Sequence, residues 1–237
     1  MNAIILAAGL GSRFGDITKK THKALLPIGN TANIERTIQY LIEFGITDIY
    51  IVVGYLADNF QYLKKKYNCH LIYNNYYNKF NNLFSFYVAK EYFSDTYMID
   101  ADVVFLNNFL EKHQYSTYYL INRTENKSEW IPILDKDQFV KKIDIASYDA
   151  PSLLGVSFWK KDDCILIKNK LKSLFLEKKE YENFANNYWD DIPKSIIHNM
   201  KIKTKLLNPT DAGEMDTLDN YLQIKELYNN SKKIKAL

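Results

Sequence analysis

Residues 3–23 read AIILAAGLGSRFGDITKKTHK, and this stretch decides the fold. It begins with a continuous apolar run, residues 3–8, that ends in glycine. A central parallel strand has this pattern when helices cover both faces of its sheet. The chain has only 8 glycines, and three of them, at positions 9, 11 and 15, fall in this stretch. The stretch therefore predicts a buried strand followed by a glycine-rich turn at the opening of an α/β sheet.

The pattern of alternating strands and helices continues up to residue 100. Residues 34–42 carry an apolar stripe at helical spacing, with Asn33 as the predicted N-cap and Gly45 as the stop. Further strands are predicted at 48–53, 70–73 and 96–99, and further helices at 56–67 and 83–91. This alternation predicts a doubly wound, mostly parallel sheet whose ligands bind at the carboxyl ends of the strands.

After about residue 107 the pattern changes to short strands with hairpin-like connections. Strands are predicted at 118–122, 130–134, 140–145, 156–159 and 202–207, and helices at 161–176, from 191 onward and at 217–228. We expect a single domain over residues 1–237, divided into halves at 1–106 and 107–237, with a mixed sheet overall. The second half is expected to contribute an inserted lid of strands and helices.

The composition excludes several classes of protein. The net charge is only +3, and no concentrated basic stripe of the kind that binds nucleic acid is present. No apolar run approaches the ~20 residues of a membrane span, and residues 3–8 are too short for a signal peptide. Cys69 and Cys164 form no CxxC pattern, so we expect two reduced thiols in a cytoplasmic protein.

The glycine-rich turn predicts a phosphate site. It lacks the spacing of GxGxxG and the adjacent GK[ST] of a P-loop. Its glycines would still let backbone N–H groups turn toward an anion, with Arg13 and Lys23 close by in sequence. Arg13 is one of only three arginines in a lysine-rich chain, which favours a guanidinium that binds phosphate oxygens. The alternative is a flexible turn with solvated charges.

Residues 7–28, AAGLGSRFGDITKKTHKALLPI, resemble the signature of sugar-nucleotide and choline-phosphate nucleotidyltransferases. Over the whole chain the resemblance is to the bacterial choline-phosphate cytidylyltransferases. It is carried by VVGYL (52–56), FNNLFSFY (80–87), IDADVV (99–104), SEWIPIL (128–134), GVSFW (155–159), YWDDIP (188–193) and GEMDTLDNY (213–221). Asp16 and His22 stand where the family usually has proline, and both are expected to loosen the loop.

The resemblance implies a Rossmann-like nucleotidyltransferase fold and an enzyme that transfers CMP from CTP to phosphocholine, giving CDP-choline and pyrophosphate. No protein nucleophile is needed, so catalysis would be positioning and charge stabilisation. Lys23 would stabilise the α-phosphate and Arg13 the other phosphates. Asp102 and Asp216 match the family's metal-binding aspartates, and two carboxylates with phosphate oxygens suit Mg²⁺.

The first half would bind the nucleotide. Asn81 and Asn82 carry the donors and acceptors that the cytosine edge requires, although one of them could instead cap the following helix. Asp100 could act through water or orient the site. The predicted nucleotide-binding residues are Leu6, Ala8, Gly9, Gly11, Ser12, Arg13, Lys23, Asn81, Asn82 and Asp100.

The second half would bind the acceptor. All three tryptophans lie there, and carboxylates adjoin two of them. A quaternary ammonium requires aromatic faces and nearby negative charge, whereas the alternative for the tryptophans is ordinary core. The predicted acceptor-binding residues are Glu129, Trp130, Trp159, Tyr188, Trp189, Asp190 and Glu214.

Other functions stay open at this point. A cytidylyltransferase for 2-aminoethylphosphonate or phosphoethanolamine would need carboxylates more than aromatic rings. A sugar-1-phosphate nucleotidyltransferase would need a hydroxyl-reading pocket, and a nucleotide sensor would bind without turnover. We expect no nucleic-acid or membrane partner, and the sequence does not predict the oligomeric state.

Overall fold

The computed structural model describes residues 1–123, 127–147, 149–177 and 185–235. Its strands are β1 (Asn2–Ala7), β2 (Pro27–Ile28), β3 (Thr31–Ala32), β4 (Ile49–Val53), β5 (His70–Tyr73), β6 (Thr96–Asp100), β7 (Val103–Phe105), β8 (Ser116–Ile121), β9 (Glu129–Leu134), β10 (Val140–Ala146), β11 (Ser152–Trp159), β12 (Ile202–Leu206) and β13 (Ala212–Glu214). Its α-helices are α1 (Asn33–Glu43), α2 (Gln61–Tyr67), α3 (Asn82–Ala89), α4 (Lys161–Glu177), α5 (Asp191–Ser195) and α6 (Leu218–Lys235).

A seven-stranded sheet in the order β12-β8-β11-β6-β1-β4-β5 forms the centre of the fold. Neighbouring strands are parallel except for β11, which runs antiparallel to both β6 and β8. The predicted mostly parallel, mixed sheet is therefore confirmed. From β1 the chain proceeds through β4 to β5 on one side, and β6 then pairs with the other side of β1. The carboxyl ends of β1 and β6 flank this reversal, which is where open α/β sheets bind ligands.

Side chains of β1 alternate between two cores, as the pleat requires. Ala3, Ile5 and Ala7 pack in the core under α1 and α2, whereas Ile4 and Leu6 pack in the core under α3 and α4. Burial on both faces explains why residues 3–8 are apolar throughout.

Asn33 differs from its predicted role as an N-cap. It is the first residue of α1 and fully buried, and Ala32 occupies the cap position. The Asn33 Nδ2 donates hydrogen bonds to the carbonyls of Ala101, at 3.1 Å, and Val103, at 2.9 Å. Asn33 therefore fixes the backbone on both sides of Asp102.

The described part of residues 107–237 joins the same sheet through β8, β11 and β12. The β9–β10 hairpin forms a separate two-stranded sheet, and β13 pairs with β7 of the first half. Where the boundary between the two halves lies stays a prediction. Cys69 and Cys164 are free and buried, and burial raises the pKa of Cys69 to about 11. In the described ranges, the helices are either too short or too polar to cross a membrane.

Candidate active site

A cavity of about 630 Å³ opens at the carboxyl ends of β1 and β6. Residues from both halves of the chain line it. The predicted site residues in its wall are Leu6, Ala8, Gly9, Gly11, Ser12, Arg13, Lys23, Asn81, Asn82, Asp100, Asp102, Glu129, Trp130, Tyr188, Asp190, Glu214 and Asp216. Trp159 and Trp189 are the two predicted residues that do not line it.

The glycine-rich turn after β1 is held together by hydrogen bonds between its own residues. Gly11 has a φ of 63° and Gly15 a φ of 59°, the left-handed region in which other residues are strained. The Thr18 hydroxyl donates to the carbonyls of both glycines, at 3.1 and 3.3 Å. A Cβ atom on Gly11 would lie 3.2 Å from the Thr18 methyl group, so the close approach also requires glycine.

Lys23 and Asp102 form an ion pair inside the cavity. Lys23 Nζ lies 2.6 Å from Asp102 Oδ2, and the two side chains are only 17% and 18% exposed. Burial would lower the pKa of Lys23, but the Asp102 carboxylate outweighs burial and raises it. Burial would likewise raise the pKa of Asp102, but the charge and hydrogen bond of Lys23 lower it. Both groups are therefore charged at neutral pH.

Arg13 and Asp216 form a second pair, with Arg13 Nη1 2.8 Å from Asp216 Oδ1. Both side chains are largely exposed, so the pair adds little stability and opens at low cost. Each predicted phosphate-binding cation is thus paired with a predicted metal-binding carboxylate.

Asp102 has a further feature that bears on metal binding. Its Oδ1 is buried and has no hydrogen-bond partner among the residues that the structure describes. Asp216 lines the same cavity, and no group of three or more His, Cys, Asp or Glu side chains in the described ranges is placed to hold a metal ion. Two carboxylates, one with an unused oxygen, fit Mg²⁺, which takes its other ligands from water and phosphate.

His22 does not loosen the loop, contrary to the expectation from sequence. Its buried ring lies with Nε2 2.9 Å from the Gly9 carbonyl oxygen, and its Nδ1 accepts from the Ala24 N–H at 3.1 Å. The ring therefore adds two hydrogen bonds that proline could not make. Asp16 makes a surface ion pair with Lys19, with 2.6 Å between the charged atoms.

Of the two roles that the sequence left open for Asn81 and Asn82, the structure shows the helix cap, and which residue reads the base stays a prediction. Asn81 caps α3, since its side-chain oxygen accepts from the Asn82 N–H at 2.8 Å. Asn82 Oδ1 accepts a hydrogen bond from the backbone N–H of Trp189, also at 2.8 Å, so Asn82 connects the nucleotide half to the acceptor half. Both residues keep an NH₂ group that can donate to a ligand.

Ser85 also lines the cavity, and the sequence analysis did not single it out. Its Oγ accepts a hydrogen bond from Asn74 Nδ2 at 3.0 Å, so its own hydrogen is left to donate elsewhere. Its place within FNNLFSFY (80–87), one helical turn after Asn82, is the signal that could have identified it.

On the acceptor side, Trp130 and Tyr188 meet edge to face, with ring centroids 6.1 Å apart. Tyr188 is 45% exposed, although aromatic residues of this size are usually more buried. Lys194 Nζ lies 4.1 Å from the centroid of the Trp130 ring. The Trp130 ring therefore already binds a cation, which is the interaction that a quaternary ammonium requires.

Arg123 connects the acidic residues of this region, and sequence reasoning missed it. Its Nε lies 3.2 Å from Glu129 and its Nη1 2.7 Å from Glu214. It also donates to the Ser152 hydroxyl and the Leu153 carbonyl. Two of the predicted acceptor carboxylates are therefore partly neutralised by a buried guanidinium.

Trp159 and Trp189 belong to the core. Trp159 has no exposed surface, its indole N–H donates to the Ser157 hydroxyl, and its ring packs edge to face on Trp189 at 5.9 Å. The structure therefore does not bring either ring to the acceptor pocket, because both lie beneath the cavity wall. Trp189 acts there only through its backbone.

Two further carboxylates face the cavity with altered acidity. Burial, reinforced by the charge of Asp191, raises the pKa of Asp190 to about 8. Burial and the neighbouring Asp102 raise the pKa of Asp100 well above its usual value. Gly155 leaves room for Asp100, since a Cβ atom there would lie 3.0 Å from its Oδ2. On the acceptor side, Asp190 is thus an acid that a bound cation would help to ionise.

Comparison with known proteins gives consistent results. Residues 3–111 match the MobA-like NTP transferase domain family. The choline-phosphate cytidylyltransferase of Haemophilus influenzae is 48% identical over 98% of this chain and 99% of its own length. That of Streptococcus pneumoniae is 36% identical over 97% of this chain and 99% of its own. The solved structure of a CTP:phosphocholine cytidylyltransferase from S. pneumoniae superposes with a TM-score of 0.90 and 34% identity, covering 95% of this chain and 98% of the other.

Proposed function

Because this chain belongs to the choline-phosphate cytidylyltransferase family, we propose that it transfers CMP from CTP to phosphocholine. A phosphate oxygen of phosphocholine forms a bond to the α-phosphorus of CTP. The bond from that phosphorus to the bridging oxygen of the β-phosphate breaks, and pyrophosphate leaves with the electron pair. The observation that carries the proposal is the cavity, in which a buried Lys–Asp pair faces an aromatic and acidic pocket.

Residues 1–106 are proposed to hold the nucleotide. The base lies against the backbone of Ala8 and Gly9, where the turn provides an open surface with nothing within 4 Å of a Cβ atom on Gly9. Lys23 leaves Asp102 to bind the α-phosphate, where negative charge develops during transfer. Arg13 leaves Asp216 to bind the β- and γ-phosphates, for which its planar fork is suited.

Magnesium is the proposed metal, held by Asp102 and Asp216 together with oxygens of CTP. The unpartnered oxygen of Asp102 supports this assignment. When bound, Mg²⁺ neutralises charge on the phosphate oxygens. Asp102 Oδ2 and Asp216 Oδ1 become available to the metal as Lys23 and Arg13 turn to the nucleotide, because each of these oxygens is paired with a cation in this structure.

Residues 107–237 are proposed to hold the acceptor. Trp130 and Tyr188 would contact the methyl groups, with Asp190 and Glu214 supplying negative charge. Three methyl groups at about 0.8 kcal/mol each would favour phosphocholine over phosphoethanolamine by tens-fold. We further propose that the protein works in the cytoplasm.

The decisive experiment is pyrophosphate release with CTP and Mg²⁺, with phosphocholine, phosphoethanolamine, 2-aminoethylphosphonate and glucose-1-phosphate run in parallel. We expect rapid release with phosphocholine and at least tens-fold less with the others. The D102A variant serves as the control and should release almost none. A preference for 2-aminoethylphosphonate would replace the proposed acceptor, and a preference for glucose-1-phosphate would remove the role of Trp130. Nucleotide binding without release for any acceptor would favour a sensor.

A further inference from the structure

The ring of His22 connects two segments of the chain that the proposed reaction needs at a fixed distance from each other. It is 1% exposed. On one side it contacts Gly9, which follows β1 and forms part of the nucleotide surface. On the other side it contacts Ala24, the neighbour of Lys23. Phe60 fixes the ring from a third direction by an edge-to-face contact with centroids 5.0 Å apart.

The hydrogen bonds determine the tautomer of the ring. The Ala24 N–H can only donate, so Nδ1 carries no hydrogen and accepts. The Gly9 carbonyl can only accept, so Nε2 carries the hydrogen and donates. Burial lowers the pKa of His22 to about 4, against the opposing effect of the Gly9 bond, so the ring is neutral at pH 7. A neutral ring with one defined tautomer makes a stable link between the two segments.

The backbone at this position does not itself require histidine. His22 has a φ of −59° and a ψ of 141°, which proline adopts without strain. Proline, the usual residue of the family pattern, would keep this turn and supply neither nitrogen. In this chain the side chain therefore provides a connection that the turn alone does not.

We propose that His22 is a positioning residue for nucleotidyl transfer, whose ring holds the Gly9 turn and Lys23 at a fixed spacing. A nucleotide seated on Gly9 then presents its α-phosphate where the Lys23 ammonium can reach it. This inference rests on the proposed function for its reaction, but the contacts of His22 stand independently. A displacement of about 1 Å in such an arrangement lowers turnover by as much as about 100-fold.

Four substitutions of His22 test separately the contributions of its two ring nitrogens, of the aromatic ring and of the backbone turn. H22Q places an NH₂ group near the position of Nε2 and can keep the Gly9 bond. H22N places an oxygen near the position of Nδ1 and can keep only the Ala24 bond. H22F retains an aromatic ring against Phe60, and H22P retains the backbone turn, but neither keeps a hydrogen bond.

The readouts are kcat and KM for CTP by pyrophosphate release, with thermal unfolding of each variant. We expect H22N, H22F and H22P to lose about 10- to 100-fold in kcat with CTP KM within about twofold, because the Lys23 contact matters most in the transition state. H22Q should keep kcat within about threefold of wild type, since it retains the Gly9 bond. Wild-type kcat in folded H22P or H22F would overturn the proposal, as would equal losses in H22Q and H22N.

A measurement without turnover distinguishes this inference from the proposed function. The ¹⁵N–¹H correlation spectrum of the His22 ring should show hydrogen on Nε2 and none on Nδ1 at pH 7. Hydrogen on Nδ1 would overturn the link whatever the activity. If the wild-type chain turns over no acceptor, the proposed function fails, and an Nε2–H tautomer would still support the positioning link between Gly9 and Lys23.

Discussion

Substitution of Asn82 tests whether the two substrate sites are connected through one side chain. Asn82 Oδ1 accepts a hydrogen bond from the backbone N–H of Trp189 at 2.8 Å, and Trp189 is almost fully buried. Asn82→Ala leaves that N–H without a partner, which costs about 1–3 kcal/mol. The chain around Trp189, which includes Tyr188 and Asp190, is expected to rearrange to satisfy that N–H, and acceptor binding then has to restore the pocket at up to this cost. At about 1.4 kcal/mol per decade, the phosphocholine KM should rise about 5- to 150-fold.

Asn82→Asp is the matched control. An aspartate keeps an oxygen for the Trp189 N–H but has no NH₂ group for the base. Pyrophosphate release at saturating CTP should therefore give a phosphocholine KM within about threefold of wild type, because the hydrogen bond is kept. CTP binding should weaken in both variants, since both lose the donor.

Two results would refute this reasoning. If Ala and Asp at position 82 raise the phosphocholine KM equally, the oxygen of Asn82 does not support the pocket. If Ala leaves that KM unchanged while the variant remains folded, the Trp189 hydrogen bond has no bearing on acceptor binding. Thermal unfolding of both variants shows whether either change is a general loss of stability.

Four further predictions concern three side chains. Trp130→Ala should raise the phosphocholine KM about 2- to 30-fold in the same pyrophosphate assay, because it removes one cation–π contact, and should leave the CTP KM within about twofold. An equal rise in the KM for both substrates would show that Trp130 is merely structural. Phosphocholine affinity should rise from pH 7 to 9, because the pKa of Asp190 is about 8 and the cation binds its ionised form, and a KM–pH profile that stays unchanged in Asp190→Asn would contradict this. Because the pKa of Asp190 is about 4 in an unfolded chain and about 8 in the folded one, ionisation of Asp190 destabilises the folded state increasingly as the pH rises from 4 to 8. The melting temperature of Asp190→Asn should therefore fall less than that of wild type over this pH range. Ser85→Ala should reduce the preference for CTP over UTP in kcat/KM by about tenfold, because the Ser85 hydroxyl can donate to N3 of cytosine but not to N3–H of uracil; an unchanged ratio would exclude this role.

Much of the fold could be predicted because its signals are local. The apolar runs of β1, β4 and β6 and the stripe of α1 are each contained in a few consecutive residues. The strand order could place Lys23 and Asp102 near one edge, since carboxyl ends of parallel strands share it. Their direct contact at 2.6 Å is a tertiary fact that no local pattern contains.

The features that sequence reasoning missed depend on distant partners. Arg123 follows β8 with no motif, and its meaning comes from Glu129 and Glu214, which the fold brings to it. Trp159 could not be distinguished from a pocket residue because the last four residues of β11, 156–159, are all buried and show no alternation. His22 was expected to loosen the loop because it stands where the family usually has proline. The sequence does not reveal that the buried ring finds both a hydrogen-bond donor and an acceptor.

The two ion pairs at the cavity balance the charges of four of its side chains. Lys23 neutralises Asp102 and Arg13 neutralises Asp216, so the site offers neither a bare cationic surface nor a bare carboxylate pair. A phosphate competes with Asp102 and Asp216 for the two cations, and a divalent ion competes with Lys23 and Arg13 for every paired carboxylate oxygen. A nucleotide and its metal that bind together would give all four side chains new partners of opposite charge. If the site acts as proposed, it would therefore work as an interlock that favours a metal–nucleotide pair over either ion alone.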